Sequence, residues 1–237
     1  MLGPESPIYT VGVKSSIVKT DNNFLVENKE GDSWVKDLVQ SNRFLYEELI
    51  NAAYLNFNKD LAGFNVQLGV RAEHTSTKGN SITMSDMVKR KYLDLFPVLS
   101  FSKKINKDNT ASLTANRRID RPSYGSLNPF IYYLDLYTYK RGNQNLKPQY
   151  TNSLSFNYLL KQKYGLEVVY SNTKDVITDI IKPDIDRGAL FTMPDNLARQ
   201  NTVSLSLSIP GSVTRTVSFK LTPLRNLYFP EVFCHQI

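Results

Sequence analysis

Four aspartates, Asp175, Asp179, Asp184 and Asp186, are the nearest thing to a carboxylate cluster in this chain of 237 residues. Carboxylates gathered in a loop hold calcium, and set beside a histidine or a phosphate-binding glycine loop they support acid–base or phosphoryl chemistry. Neither companion lies near them, so they read first as solvated loop charges and the chain does not read as an enzyme. Metal chemistry has little else to draw on. His74 and His235 are the only histidines and neither sits in an HExxH motif, while Cys234 is the only cysteine, which rules out an intrachain disulfide and a CxxC site. No catalytic residue, metal or cofactor is expected.

Basic and aromatic residues remain. The formal charge is +7, from 29 Lys and Arg against 22 Asp and Glu, but the basic residues are spread along the chain, and Lys89-Arg90-Lys91 is the only tight run. Nucleic-acid binding needs them gathered on one face with aromatics between, so no nucleic acid is expected as a partner. Fourteen Tyr and twelve Phe make the chain rich in aromatics, and Tyr132, Tyr133, Tyr137 and Tyr139 crowd one stretch. Such a group can stack on the rings of a ligand, pack a loop, or form an aromatic girdle at a membrane interface.

The elements that must position these residues are strands. Val203-Ser204-Leu205-Ser206-Leu207-Ser208-Ile209 alternates strictly, with four apolar residues on one face and three serines on the other. The same period of two runs through 64–73, 154–160, 111–116, 9–14 and 166–171. Helical spacing is weak and confined to 34–39. Short polar turns fall at 58–63, 106–109, 161–165 and 210–212, and between them lie long connections at roughly 20–44, 76–91, 122–148 and 173–198. In an up-and-down meander every second connection lies at the same end, so short turns gather at one end and long loops at the other.

That asymmetry is the habit of outer-membrane barrels, whose strands are about ten residues long and escape a hydropathy scan because only alternate residues face lipid. No stretch approaches the roughly 18 apolar residues of a membrane helix, and the start, MLGPESPIYTVGV, does not read as a signal peptide. The polar face carries Ser, Thr, Asn, Gln, Arg and Glu, which suits a wet or plugged lumen. A soluble β-sandwich with one solvated face produces the same local alternation, and a soluble or surface-attached β-rich binding module is the alternative.

Particular motifs then narrow the reading. Tyr92-Leu93-Asp94-Leu95-Phe96-Pro97 leads into a strand and hairpin, followed by Arg117-Arg118-Ile119-Asp120-Arg121-Pro122-Ser123-Tyr124, Leu127-Asn128-Pro129-Phe130 and Gly142-Asn143-Gln144-Asn145-Leu146-Lys147-Pro148-Gln149-Tyr150. In this order and spacing they closely resemble the barrel of TonB-dependent outer-membrane receptors, and most of all the outer-membrane β-barrel family of Bacteroidetes. The resemblance covers roughly residues 8 to 210. It implies uptake of a scarce ligand such as a siderophore, cobalamin or glycan, in the bacterial outer membrane. Its implied partners are membrane lipid and lipopolysaccharide, a plug domain, further barrel strands, and the energy-transducing TonB complex acting through the plug.

Against the family plan of about 22 strands the chain offers about nine, with no plug or TonB box. It is therefore expected to be a truncated barrel segment over 1–220 with an irregular tail over 221–237, not functional alone. Arg118, Arg121, Pro122, Tyr124, Asn128, Pro129, Phe130, Gly142, Asn143, Leu146 and Pro148 are expected to be architectural, because proline ends strand pairing and Asn-Pro starts a turn. Arg117 shares the parity of Leu113 and Ala115 and lies near the outer rim of the apolar band, where it can snorkel or meet a lipopolysaccharide phosphate.

Overall fold

The computed structural model describes residues 6–38, 40–61, 63–209, 215–224 and 227–236. Of residue 198 and of all residues from 215 onward, only the backbone is described. The elements in chain order are β1 (Ile8–Phe24), β2 (Glu27–Glu30), β3 (Ser33–Lys36), β4 (Asn42–Leu61), β5 (Phe64–Ser81), β6 (Asp86–Lys104), β7 (Thr110–Asp120), α1 (Tyr124–Leu127), β8 (Ile131–Tyr133), β9 (Thr138–Arg141), β10 (Gln149–Leu160), β11 (Tyr164–Asp184), β12 (Ala189–Ile209), β13 (Arg215–Leu224) and β14 (Leu227–Gln236).

Ten of these strands pair in the order β1-β4-β5-β6-β7-β10-β11-β12-β13-β14, each antiparallel to the next. The sheet is an open meander. The expected short turns after β4, β6 and β10 fall at one end. Two of them touch, since Gln162 N donates to the Asp108 carbonyl at 2.8 Å and Lys161 N to Asn109 Oδ1 at 3.1 Å. The turn expected at 210–212 lies outside the described residues, but Ile209 stands opposite Arg215 across the antiparallel pair.

Register turns the local alternation into continuous rows. Tyr9, Phe57, Leu68, Leu99, Ala115, Leu154, Tyr170 and Val203 stand side by side across eight strands. The opposite face carries the row Asn58, Gln67, Ser100, Thr114, Ser155, Val169 and Ser204. The apolar face is bare: Val13 is 84% exposed, Leu93 68%, Leu95 55% and Leu154 45%. A soluble sandwich buries its apolar face against a second layer, and here no such layer covers it among the described residues. Several of the best-buried side chains, Phe44, Tyr46, Glu73 and Thr75 among them, lie instead at even positions of β4 and odd positions of β5, the polar-face parity.

Several expectations need correction. The stretches 76–91 and 173–198 are not long loops. Strands β5 and β6 run on to a turn at 82–85, and β11 and β12 to a turn at 185–188. In these outer parts both faces mix polar with apolar residues, as with Val176, Ile177, Ile180 and Ile181 of β11, so the period-two signal fades although backbone pairing continues. Within the weak helical pattern at 34–39, residues 34–36 belong to β3, which pairs with β2 in a hairpin closed by Gly31 at φ 62°. Where an irregular tail was expected over 221–237, the described backbone is paired: β13 extends to Leu224 and β14, Leu227–Gln236, lies alongside it. The meander itself has ten strands, in line with the expected number of about nine.

Candidate functional site

At the loop end of the sheet, residues 121–148 leave β7, form α1, β8 and β9, and return to β10. Ser123 caps α1 by accepting a hydrogen bond from Ser126 N, and Asn128 ends it. The returning strand then closes on the helix: Gly142 N donates to the Asn128 carbonyl at 2.9 Å and Asn143 N to the Ser126 carbonyl at 2.7 Å. A Cβ at position 142 would sit 2.2 Å from the Asn128 oxygen, so only glycine permits this approach.

The excursion is anchored to the polar face. Arg121 Nη2 donates to Glu73 Oε2 at 2.7 Å and to Thr75 Oγ1 at 2.9 Å. The guanidinium of Arg90 donates to the carbonyls of Gln144 and Leu146. Asn42 Nδ2 donates to Asn128 Oδ1 at 3.2 Å, and Gln144 Nε2 to Asp86 Oδ2 at 3.1 Å. On the far side Asn143 Nδ2 reaches the Pro194 carbonyl at 3.2 Å, and Asn196 Oδ1 accepts from Lys147 N at 2.8 Å. One segment thus spans from β4–β6 across to β12. Leu146 is fully buried.

Strand β9 also adds, in parallel, to the edge of β12, with Tyr139 opposite Phe191. Their rings stack at 5.3 Å and 10°, and Arg141 lies 4.4 Å over the Phe191 ring. Tyr139 Oη donates to Asp184 Oδ2 at 2.6 Å. That bond holds the Asp184 carboxyl below the ordinary carboxylate value, while desolvation, reinforced by Asp184, pushes the Tyr139 hydroxyl up. In the β8–β9 turn the hydroxyl of Thr138 and the amide of Tyr137 likewise hold Asp135 down.

Most of the motif residues lie in or beside this unit. Arg121 and Pro122 line a small cavity beside Phe44, Tyr46 and Tyr92. The Phe130 ring meets that of Phe24, the last residue of β1, at 5.7 Å and a tilt of 54°, Pro129 is half-buried between α1 and β8, and Pro148 is buried at the return to β10. Tyr124 is 43% exposed. Arg118 stays outside the network, largely exposed and 3.9 Å from Asp120. Arg117 lies 4.9 Å over the Tyr150 ring, and Tyr150 in turn bonds Asp94 at 3.0 Å.

Of the four candidate tyrosines, Tyr132, Tyr133 and Tyr137 are exposed, whereas Tyr139 is 2% exposed. The aspartates do not converge, and among the described residues no group of three His, Cys, Asp or Glu could hold a metal. Residues that carry the geometry but were not singled out are Glu73, Asn42, Asn196 and Phe191, all far in sequence from what they touch.

A bare apolar face, a polar face covered by its own connection, and alternating ends are the features of a membrane barrel wall. Residues 7–229 match the model of the outer membrane protein beta-barrel family. The chain belongs to this family. No curated protein matches it. Among solved structures, this outer-membrane β-barrel chain is similar to the siderophore receptor PirA from Pseudomonas aeruginosa, with 13% identity and a TM-score of 0.51, over 98% of this chain and 56% of that one. It is similar to the copper transporter OprC, with 12% identity and a TM-score of 0.58, over 90% and 35% of the two chains. The Serratia marcescens hemophore receptor HasR matches with 10% identity and a TM-score of 0.56, over 96% and 46%. At such identities the likeness speaks for the fold. The chain spans about half the length of these barrels or less. Fold and family place it in the bacterial outer membrane.

Proposed function

We propose that the chain is part of the wall of a TonB-dependent receptor barrel that takes up a scarce ligand such as a siderophore, cobalamin or glycan. The observation that carries this reading is the division of the sheet: its apolar rows are bare across eight strands, while a folded connection is fastened to its polar face. A lipid-facing wall with a lined lumen needs both. In this reading a plug and the remaining strands complete the barrel, the TonB complex acts through the plug, and membrane lipid and lipopolysaccharide surround it. The exposed Tyr132, Tyr133 and Tyr137 at the loop end are placed to stack on rings of an arriving ligand.

Differential extraction tests it. The chain should require detergent, and a chain that stays monomeric in the aqueous phase would support the β-rich binding module instead. These residues alone should not restore uptake to a receptor-deficient cell, because an open sheet leaves unpaired edges that hydrocarbon does not tolerate. Restored uptake would overturn the reading of the chain as part of a larger barrel.

A further inference from the structure

Between the excursion and the polar face of the sheet lies a cavity of about 380 Å³, within the range of small-ligand pockets. Phe130, Tyr132 and Lys140 line it from the excursion, and Asp179, Thr192 and Pro194 line it from β11 and β12. Its frame is fixed by bonds that hold the excursion itself, from Gly142 N to the Asn128 carbonyl and from Asn143 Nδ2 to the Pro194 carbonyl. A ligand entering here meets walls that are already in place, which lowers the cost of binding.

The cavity holds a cation and an anion that do not pair. Register puts both on the polar face: Lys140 stands opposite Thr192 in the parallel pair of β9 and β12, Thr192 is two positions from Pro194, and Pro194 stands opposite Asp179. At about 4.8 Å between strands and about 3.3 Å per residue, the Cα atoms of Lys140 and Asp179 are about 12 Å apart. Both residues are exposed, and among the described residues neither side chain makes a hydrogen bond or an ion pair. Arg141 borders the same cavity, but its guanidinium lies over the Phe191 ring at 4.4 Å.

We infer that this cavity binds a short peptide with free ends, its terminal carboxylate on Lys140 Nζ, its terminal ammonium on the Asp179 carboxylate, and an apolar side chain against Phe130 and Tyr132. An extended chain spans at most about 3.3–3.6 Å per residue, so two or three residues cover about 7–10 Å. That length fits between charged groups reaching inward from Cα atoms about 12 Å apart. A polyanion would meet Asp179 as a like charge, and a neutral ligand would leave both charges without a counterpart, so complementarity selects a dipolar ligand. Thr192, between the two in register, offers a hydroxyl that can donate to or accept from the peptide bond. The inference rests on the uptake reading and gives its ligand a chemical class.

The test is titration calorimetry of the full chain in nonionic detergent micelles with the tripeptide alanyl-phenylalanyl-alanine. Acetylating its amino end or amidating its carboxyl end should each weaken binding by about tenfold or more, as expected for loss of a charge-assisted hydrogen bond. Lys140→Gln should bind the acid and the amide alike while still discriminating against acetylation, and Asp179→Asn should do the reverse. A merely structural role would not produce that crossed pattern. Lys147→Gln, outside the cavity, should leave binding unchanged. No binding of the free tripeptide at millimolar concentration, equal binding of free and blocked peptides, or a neutral disaccharide bound as tightly as the tripeptide would each overturn the site. Partition of the wild type tests the barrel reading separately: a chain that enters the detergent phase yet ignores the peptide ends loses this site alone, and one that stays aqueous loses the barrel reading.

Discussion

Arg121 and Glu73 meet at 2.7 Å across the polar face of the sheet, although 48 residues separate them in the chain. Both side chains are largely withdrawn from solvent, at 18% and 9% exposure, and Arg71 stands on the other side of the Glu73 carboxylate. The pair therefore fastens the start of the excursion to β5. Removing Arg121 leaves the buried Glu73 carboxylate with Arg71 alone and Thr75 Oγ1 without its donor. Arg121→Gln should cost about 2–3 kcal/mol in thermal unfolding of the detergent-solubilised chain, and E73Q/R121Q should cost less than the sum of the single changes. Strict additivity would show that the contact is incidental.

Gly142 tests the close approach of the returning strand to α1. Gly142→Ala places a methyl group against the Asn128 and Ser126 carbonyls and should destabilise the unit by about 1–3 kcal/mol, as overpacking does. Limited proteolysis should then cut within 121–148 faster than in the wild type. Gly188, which has nothing within 4 Å of an added Cβ but has φ 59°, should respond through backbone strain in the 185–188 turn without releasing the excursion.

The two faces of β12 should answer differently to the same charge. Leu205 shares its face with Val168 and Ser206 shares its face with Glu167. Leu205→Arg should cost roughly 2–4 kcal/mol of stability in a bilayer, the range for a cation on the lipid face of a barrel, whereas Ser206→Arg should cost little. Reversal of this order in a refolding titration would place the serines toward lipid.

The Tyr139–Asp184 bond gives a pH dependence with a definite sign. The Asp184 carboxyl is held below its ordinary value of 3.8, so its contribution is present above that value and is lost as pH falls through the lowered one. The Tyr139 hydroxyl is raised above 10.0, so its contribution is complete below that value and is lost as pH rises through the raised one. Protease protection of β9 should hold through neutral pH and fall at both extremes. Asp184→Asn should remove the acid limb, and an acid limb that survives the substitution would point to another carboxylate, with Asp135 the first to examine.

What the residues determine by themselves is the wall. Period-two alternation is a property of neighbouring residues, so Leu205 with Ser206, or Leu68 with Gln67, declares a strand with one oily and one wet face before any partner is known. The turn chemistry of 106–109 and 161–165 declares hairpins in the same way, and Arg121, Pro122, Asn128 and Pro129 mark where regular pairing stops. The alternation also has a natural limit: once β5, β6, β11 and β12 rise above the lipid, neither face must be apolar, and paired strands at 76–91 and 173–198 look like loops.

Only the tertiary structure decided what pairs with what. Arg90 sits in the one tight basic run of the sequence, within a stretch that reads as a loop, yet its guanidinium is bound to the carbonyls of Gln144 and Leu146. Tyr139, grouped with three exposed tyrosines, is stacked on Phe191 and bonded to Asp184. Lys78 and Lys89 become neighbours only through the register of β5 on β6. Each of these contacts joins residues tens of positions apart, and their free energy depends on three-dimensional proximity and on the burial that follows from it, quantities with no local signature in the order of residues.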